Sequence, residues 1–352
     1  MARIRKAPIP ITIVAGPSGA GKTTLINRLL EAPAFADTAV ILNDFGETPL
    51  RGPVVETAED GFIALGSGCV CCAVRGALTD GLENLLRGLD NGRIAAIGRV
   101  VIEADESADP AAILAAVERH PYLALRFVAD DVVAVLNAAT AEAALAERAD
   151  TVRQVAMADV IAVFRGAAEA ALQAQLRSLN PVAAIVDAAN ALPAEFVGHG
   201  AFDTGTGDAE AWLAAGTVGD PAAALAGEAG RIRAFAVARQ RLMPFSALER
   251  FVEYLAVLQA PNLIRVRGLV AIDENESVVV EGAGSFFRPP LIVDRATDPG
   301  LRFAVVARDL DRERFEGYLD AFLGESRVDR PDAAALTDNP LVVPGFSARS
   351  GK

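Results

Sequence analysis

The sequence predicts an α/β protein: a P-loop NTPase domain with a mostly parallel sheet and helices on both faces, followed by a smaller α+β domain. Three observations predict it. A glycine-rich loop lies between a strand-like run and a helix-like run near the start of the chain. Apolar strand-like runs then alternate with helical stretches as far as residue 190, as in parallel strands joined by crossover helices. Beyond a Gly-, Ala-, Asp- and Thr-rich stretch at 191–230, the order changes to strand, helix, three strands and a closing helix.

The first element is the apolar run Ile11–Ala15, a strand. Gly16-Pro-Ser-Gly-Ala-Gly21-Lys22-Thr23 fits G-x-x-x-x-G-K-S/T, and Thr24–Leu30 reads as an amphipathic helix. Strand, glycine loop and helix stand in the order that phosphate binding needs. Backbone N–H groups of Gly16, Ser18, Gly19, Ala20 and Gly21 close around a phosphate, and the helix start at Thr23 and Thr24 adds partial positive charge. Lys22 is placed to reach the β and γ phosphates and the Thr23 hydroxyl to ligate Mg²⁺. Only three of the 33 basic residues are lysines, and Lys22 is the one distant from both termini.

Strand-like runs follow at 38–44, 93–105, 125–139, 158–164 and 181–188, with helix-like stretches at 76–89 and 109–120. These place the first domain at 1–190, a connector at 191–230, a second domain at 231–325 and a tail at 326–352. In the second domain, 231–240, 263–273, 276–282 and 301–309 read as strands, and 244–259 and 311–324 as helices.

A net charge of −13 with no long basic run argues against nucleic acid or an anionic membrane as the partner. No apolar run approaches the roughly 20 residues of a membrane span, so a cytoplasmic protein is expected. All three cysteines, Cys69, Cys71 and Cys72, fall in "GCVCC". Thiols stay reduced in the cytoplasm, so a metal or redox site is the better reading than a disulfide framework. Deprotonated thiolates suit Zn²⁺, Cu(I) or Co²⁺, and three ligands leave one position open for transfer. A Cys69–Cys72 redox pair and three inert buried thiols are the rivals. His120 and His199 are isolated and read as surface or linker residues.

The phosphate loop, "NDFGE", "GCVCC" and "IE…ADP", in this order, together resemble the CobW-type metallochaperone P-loop GTPase family, which is related to the nickel-delivery GTPases of hydrogenase and urease maturation. "LNPVAAI", "MPFSALERFVEYL" and "LIRVRGLV" extend the resemblance through most of the chain. It implies a GTP-dependent chaperone that binds Zn²⁺ or a similar divalent metal at Cys69, Cys71 and Cys72 and delivers it to a client metalloprotein. It also implies that Asp44 and Glu47 are switch carboxylates and that Glu103 lies near Mg²⁺ and its water. A nucleotide-dependent homodimer stays open.

Two departures bear on chemistry. Phe164-Arg165-Gly166-Ala167 stands where the family reads guanine with N-K-x-D. Ala167 accepts no hydrogen bond from a base, so GTP and ATP are both open as the nucleotide. Ala104-Asp105-Glu106 replaces the T-S/T-G stretch, and Glu106 takes the position of the glycine that approaches the γ-phosphate. A hydrolysis-deficient sensor or scaffold is therefore the alternative to an active NTP hydrolase, and a small-molecule kinase is a weaker third. Asn137 replaces an aspartate common in the family.

Overall fold

The computed structural model describes residues 8–42, 54–57, 62–65, 70–73, 78–164, 170–181, 183–198, 229–294 and 300–324, with 54–57, 62–65 and 70–73 as backbone only. The first unit comprises β1 (Ile9–Ala15), α1 (Lys22–Leu30), β2 (Thr38–Leu42), β3 (Val54–Thr57), β4 (Phe62–Leu65), β5 (Val70–Ala73), α2 (Leu78–Asp90), β6 (Arg99–Glu103) and α3 (Pro110–Glu118). It continues through β7 (Phe127–Asn137), α4 (Ala141–Glu147), α5 (Ala149–Met157), β8 (Val160–Phe164), α6 (Ala170–Leu179) and β9 (Ala184–Asp187).

Its strands form one sheet in the order β3-β4-β5-β2-β6-β1-β7-β8-β9. From β5 to β9 every pairing is parallel; β3 and β4 add an antiparallel hairpin at the β5 edge. Strands covered on both faces must be apolar throughout rather than alternating, and Ile11, Thr12, Ile13, Val14 and Ala15 are all buried. One face packs Val14, Val40, Val101, Val133 and Val135 under Leu25, Ile26 and Leu29 of α1, with Phe35 and Phe196. The other face packs Ile13, Ile41, Ile102, Ala134 and Ile161 against residues of α2, α5 and α6.

Several elements differ from their sequence expectations. The strand expected over 93–105 is confined to Arg99–Glu103, because residues 91–98 turn the chain from α2 back to the sheet. Helices α4, α5 and α6 have no counterpart among the helix-like stretches of the sequence; α4 and α5 are short, seven and nine residues. Strands β3, β4 and β5 each have four residues, too few for a period to stand out. The helix expected over 244–259 is α-helical to Tyr254 and then widens to π-type turns over Leu255–Gln259.

The second unit holds β10 (Ile232–Arg239), α7 (Phe245–Tyr254), β11 (Leu263–Ala271), β12 (Glu276–Ala283), β13 (Phe286–Phe287), β14 (Leu291–Asp294), β15 (Leu301–Arg308) and α8 (Arg312–Phe322). Its six strands form an antiparallel sheet. On one face Val266, Val270 and Phe303 pack under Phe251 of α7 and Phe315 of α8, where edge-to-face ring pairs close the core. On the other, Ala234, Ile264, Ala283 and Val306 join the core of the first unit.

Charges are buried at that junction. Asp159, just before β8, accepts from the guanidinium groups of Arg265 (2.6 Å) and Arg267 (2.7 Å) with one carboxylate oxygen. Its other oxygen accepts the Val132 N–H at 2.9 Å. Arg265 also donates to the Met157 carbonyl at the end of α5. Glu281 faces Arg265 at 3.4 Å and Arg288 at 3.4 Å, and Arg288 pairs with Glu118 of α3 at 2.9 Å. Three arginines thus meet three carboxylates across the junction, which makes burying them tolerable.

Candidate functional site

Parallel α/β sheets place ligand sites at the carboxyl ends of their strands, where the connecting loops gather. Here β1 and β6 are neighbours, in a register that sets Val14 opposite Glu103. The loop after β1 is the glycine-rich segment, and the chain after β6 carries Ala104–Asp109. The two segments face one another.

Gly16, Gly19 and Gly21 all have positive φ (147°, 73° and 107°), a region that L side chains rarely adopt. A Cβ on Gly16 would stand 2.3 Å from the Val135 carbonyl oxygen of β7, and one on Gly21 would stand 2.7 Å from the Phe164 ring. At Gly16 and Gly21 the loop is therefore held close against its neighbours, with no room for a side chain, whereas Gly19 is open and is set by its φ alone. Lys22 turns its ammonium back over the loop to the carbonyls of Gly16 (2.8 Å) and Pro17 (3.2 Å). Burial holds the Lys22 pKa below the ordinary lysine value, against the opposing pull of Glu103, Asp105 and Glu106. The Thr23 hydroxyl donates to the Glu103 carboxylate, with its oxygens at 3.1 and 3.2 Å. One hydroxyl beside one carboxylate is an oxygen-only donor pair of the kind Mg²⁺ takes.

The segment after β6 is tightly fixed. The Ala104 N–H bonds the Val14 carbonyl at 2.8 Å, prolonging the β1–β6 pairing. Asp105 accepts from the N–H and hydroxyl of Ser107, which lowers its pKa. Asp109 caps α3 by accepting the Ala111 N–H, with Pro110 in the first helical turn. Buried Gln154 of α5 donates to the carbonyls of Glu106 (3.2 Å) and Ala108 (3.0 Å). Glu106 itself reaches the phosphate loop: one oxygen accepts the Ser18 N–H at 3.1 Å, and the other pairs with Arg148 at 3.0 Å. Those two donors, Arg148 first, hold the Glu106 pKa below the usual carboxylate value.

Among the sequence-predicted site residues, the structure brings together the loop from Gly16 to Thr23, with Lys22 and with Thr23 on Glu103. Thr24 follows in α1. Asp44, Glu47 and Cys69 lie outside the described residues, as do Arg165, Gly166, Ala167 and His199. Cys71 and Cys72 lie on the backbone of β5, where register sets Cys71 opposite Val40 and Cys72 opposite Ile41. Leu42 of β2 stands opposite Ala73 on one side and Glu103 on the other. Cys72 is thus one residue below the level of Glu103 and two strands away, about 10 Å between strand axes. Phe164 packs beside Gly21. The Asn137 side chain accepts the Ala139 N–H at 3.1 Å, closing the turn after β7. His120 accepts the Leu123 N–H with Nδ1 and faces Glu83 with Nε2, both at 3.3 Å. Among the described residues, no group of three His, Cys, Asp or Glu side chains is arranged to hold a metal, and no helix is long and apolar enough to cross a membrane.

Arg148 and Gln154 were missed from sequence. They sit about 40–50 residues after Glu106, Arg148 at the junction of α4 and α5 and Gln154 within α5, in a stretch that carries no motif, and only the packing of α5 on the sheet delivers them here.

Gly21→Ala puts an L residue at φ +107° against the Phe164 ring. Strain of about 1–3 kcal/mol is expected there, which lowers nucleoside phosphate affinity by at least about tenfold. Calorimetric titration checks it, and an affinity within about twofold of wild type would contradict this placement of the loop.

Residues 10–191 match the family model for the CobW/HypB/UreG nucleotide-binding domain, and residues 232–323 match the cobalamin synthesis protein cobW C-terminal domain. The zinc chaperone YjiA of Escherichia coli is 35% identical over 154 residues, which is 44% of this chain and 48% of that protein. The zinc chaperone CobW of Sinorhizobium sp is 31% identical over 148 residues, 40% of each chain. The zinc-regulated GTPase metalloprotein activator 1 of Schizosaccharomyces pombe is 33% identical over 109 residues, 29% of this chain and 25% of that protein. These alignments span half or less of the relatives' length. The crystal structure of Zn(II)-bound YjiA GTPase from E. coli matches with a TM-score of 0.68 at 24% identity, covering 90% of this chain and 99% of that one. That likeness shows the fold.

Proposed function

The chain belongs to the CobW/HypB/UreG family, and from that premise we propose that it is a nucleotide-dependent metal chaperone. It hydrolyses GTP or another NTP and carries Zn²⁺ or a similar divalent metal at Cys69, Cys71 and Cys72 to a client metalloprotein. The observation that carries this reading is one shared sheet edge. Glu103, hydrogen-bonded to Thr23 of the phosphate loop, stands at one level with the end of the cysteine-bearing strand. The strand between them, β2, runs directly into the segment that holds Asp44 and Glu47. The zinc chaperones among its relatives support the choice of metal.

In this reading the loop N–H groups and the α1 terminus bind the phosphates, and Lys22 exchanges its two carbonyl partners for β and γ phosphate oxygens. Thr23 and Glu103 would hold Mg²⁺, whose charge offsets that of the phosphates when it is bound. Asp44 and Glu47, which the family resemblance assigns to a switch, respond to the nucleotide and bias the metal affinity of the thiolates. Three soft thiolates fit zinc and leave a fourth position for the client's ligand. We assign residues 1–190 to the nucleotide unit and 231–325 to the second unit, joined by 191–230, in the cytoplasm and with a nucleotide-dependent homodimer as one working state.

Zinc titration in reducing buffer tests the reading, comparing wild type with Cys71→Ser/Cys72→Ser in the presence of GDP or a non-hydrolysable GTP analogue. The double variant is expected to lose at least about 100-fold in zinc affinity. In wild type, the two nucleotides should shift zinc affinity by the same factor by which zinc shifts theirs. Equal zinc binding by both proteins would sink the proposal. The contact of Glu106 with the phosphate loop favours the second reading, a sensor or scaffold without hydrolysis. Metal-stimulated turnover in wild type would exclude it.

A further inference from the structure

Glu106 makes a contact that binding and hydrolysis do not call for. We propose that its carboxylate occupies the place of the outermost phosphate, so that the site takes a nucleoside diphosphate in preference to a triphosphate. The inference rests on the reading of this loop as a nucleotide site.

Four features of the geometry support it. First, backbone N–H groups are what a glycine-rich loop offers to phosphate oxygens, and Glu106 already takes one of them, the Ser18 N–H. Second, the location matches. Thr23 and Glu103 would hold Mg²⁺, whose charge would favour the outer phosphates on that side of the loop. Glu106 follows Glu103 by three residues and comes over the loop from that side. The inner phosphates depend instead on the start of α1 at Gly21–Thr23, beyond Gly19 from Ser18.

Third, the carboxylate is built in. Its backbone carbonyl is held by buried Gln154, the neighbouring turn is locked by Asp105 and Ser107, and its second oxygen is held by Arg148. A triphosphate has to break the Ser18 contact and bring its outer charge up to a fixed negative one. Fourth, Glu106 engages the guanidinium of Arg148 at 3.0 Å, so this nearby cation already has an anionic partner on the loop. A diphosphate meets none of these obstacles.

Calorimetry on the full chain with Mg²⁺ tests this. Wild type, Glu106→Gln and Glu106→Gly are each titrated with GDP and guanylyl imidodiphosphate, and with the adenine pair. Wild type is expected to bind the diphosphate at least about tenfold more tightly than the triphosphate analogue. Both variants should improve triphosphate affinity by about tenfold or more while changing diphosphate affinity by less than about threefold. Glu106→Gln keeps the shape and the Gln154 contact to the backbone, so a shift there reports charge rather than loop collapse. An unchanged di- to triphosphate ratio in both variants would overturn this inference alone. If no nucleotide binds to any of the three proteins, the nucleotide reading itself falls, and this inference with it.

Discussion

Lys22→Ala lowers nucleotide affinity by about 10–100-fold, the scale of one or two charge-assisted hydrogen bonds. Under the proposed hydrolysis, turnover falls further, by about 10²–10³-fold, because the ammonium would also meet charge that develops only as the outer phosphate departs. The two carbonyl bonds that Lys22 makes, at Gly16 and Pro17, lie within its own loop, so the fold should survive the substitution with an unchanged circular dichroism spectrum. The pH response has a defined sign. Burial lowers the Lys22 pKa, and only the protonated form attracts phosphate. Affinity therefore declines on the alkaline side sooner than it would for an exposed lysine. Filter binding of labelled nucleotide across pH measures this. Retention of wild-type affinity by Lys22→Ala would remove the loop from the binding site.

Asp159→Ala costs about 3–5 kcal/mol in unfolding free energy. The substitution removes the acceptor of three hydrogen bonds: one from the Val132 backbone and two from buried arginines. Arg265 and Arg267 then share Glu281, which faces the two guanidinium groups at 3.4 and 3.8 Å. One carboxylate offsets only part of two buried cations. Asp159→Asn keeps an acceptor and the side-chain volume, so it should fall between wild type and alanine. Because the cluster joins the two units, urea denaturation should show the first unit's signal separating from the second's, where wild type gives one transition. A loss below about 1 kcal/mol for Asp159→Ala would mean that the junction is held by its apolar contacts and that the charges are incidental.

Nucleotide chemistry was the most legible part of the sequence. The loop from Gly16 to Thr23 is contiguous, and its dihedral demands can be met only by the residue types present, so local pattern and local structure coincide. Glu103 was legible through the resemblance, as the carboxylate at the end of a strand. The cysteines were legible as a cluster, but not as part of a strand. Four residues are too short to show a period, and the pairing partner β2 lies some 30 residues earlier in the chain.

The buried arginines show where pattern reading stops. In "LIRVRGLVA" the arginines alternate with valines and glycine, as on a strand with one apolar and one solvated face. The alternation is real: Val266 and Val270 face the core under α7 and α8, while Arg265 and Arg267 face the other way. What covers the second face is the first unit, with Asp159 aimed at both guanidinium groups.

Sequence by itself determined the phosphate loop and the mostly parallel α/β character of the first unit, because these follow from spacing and local dihedral preference. The tertiary structure alone decided that Glu106 lies on the loop, that Gln154 and Arg148 hold it there, and that the arginine face of β11 is buried. Each of these depends on residues 40 to more than 100 positions apart meeting through packed helices, and no local period records which surface a given face will meet.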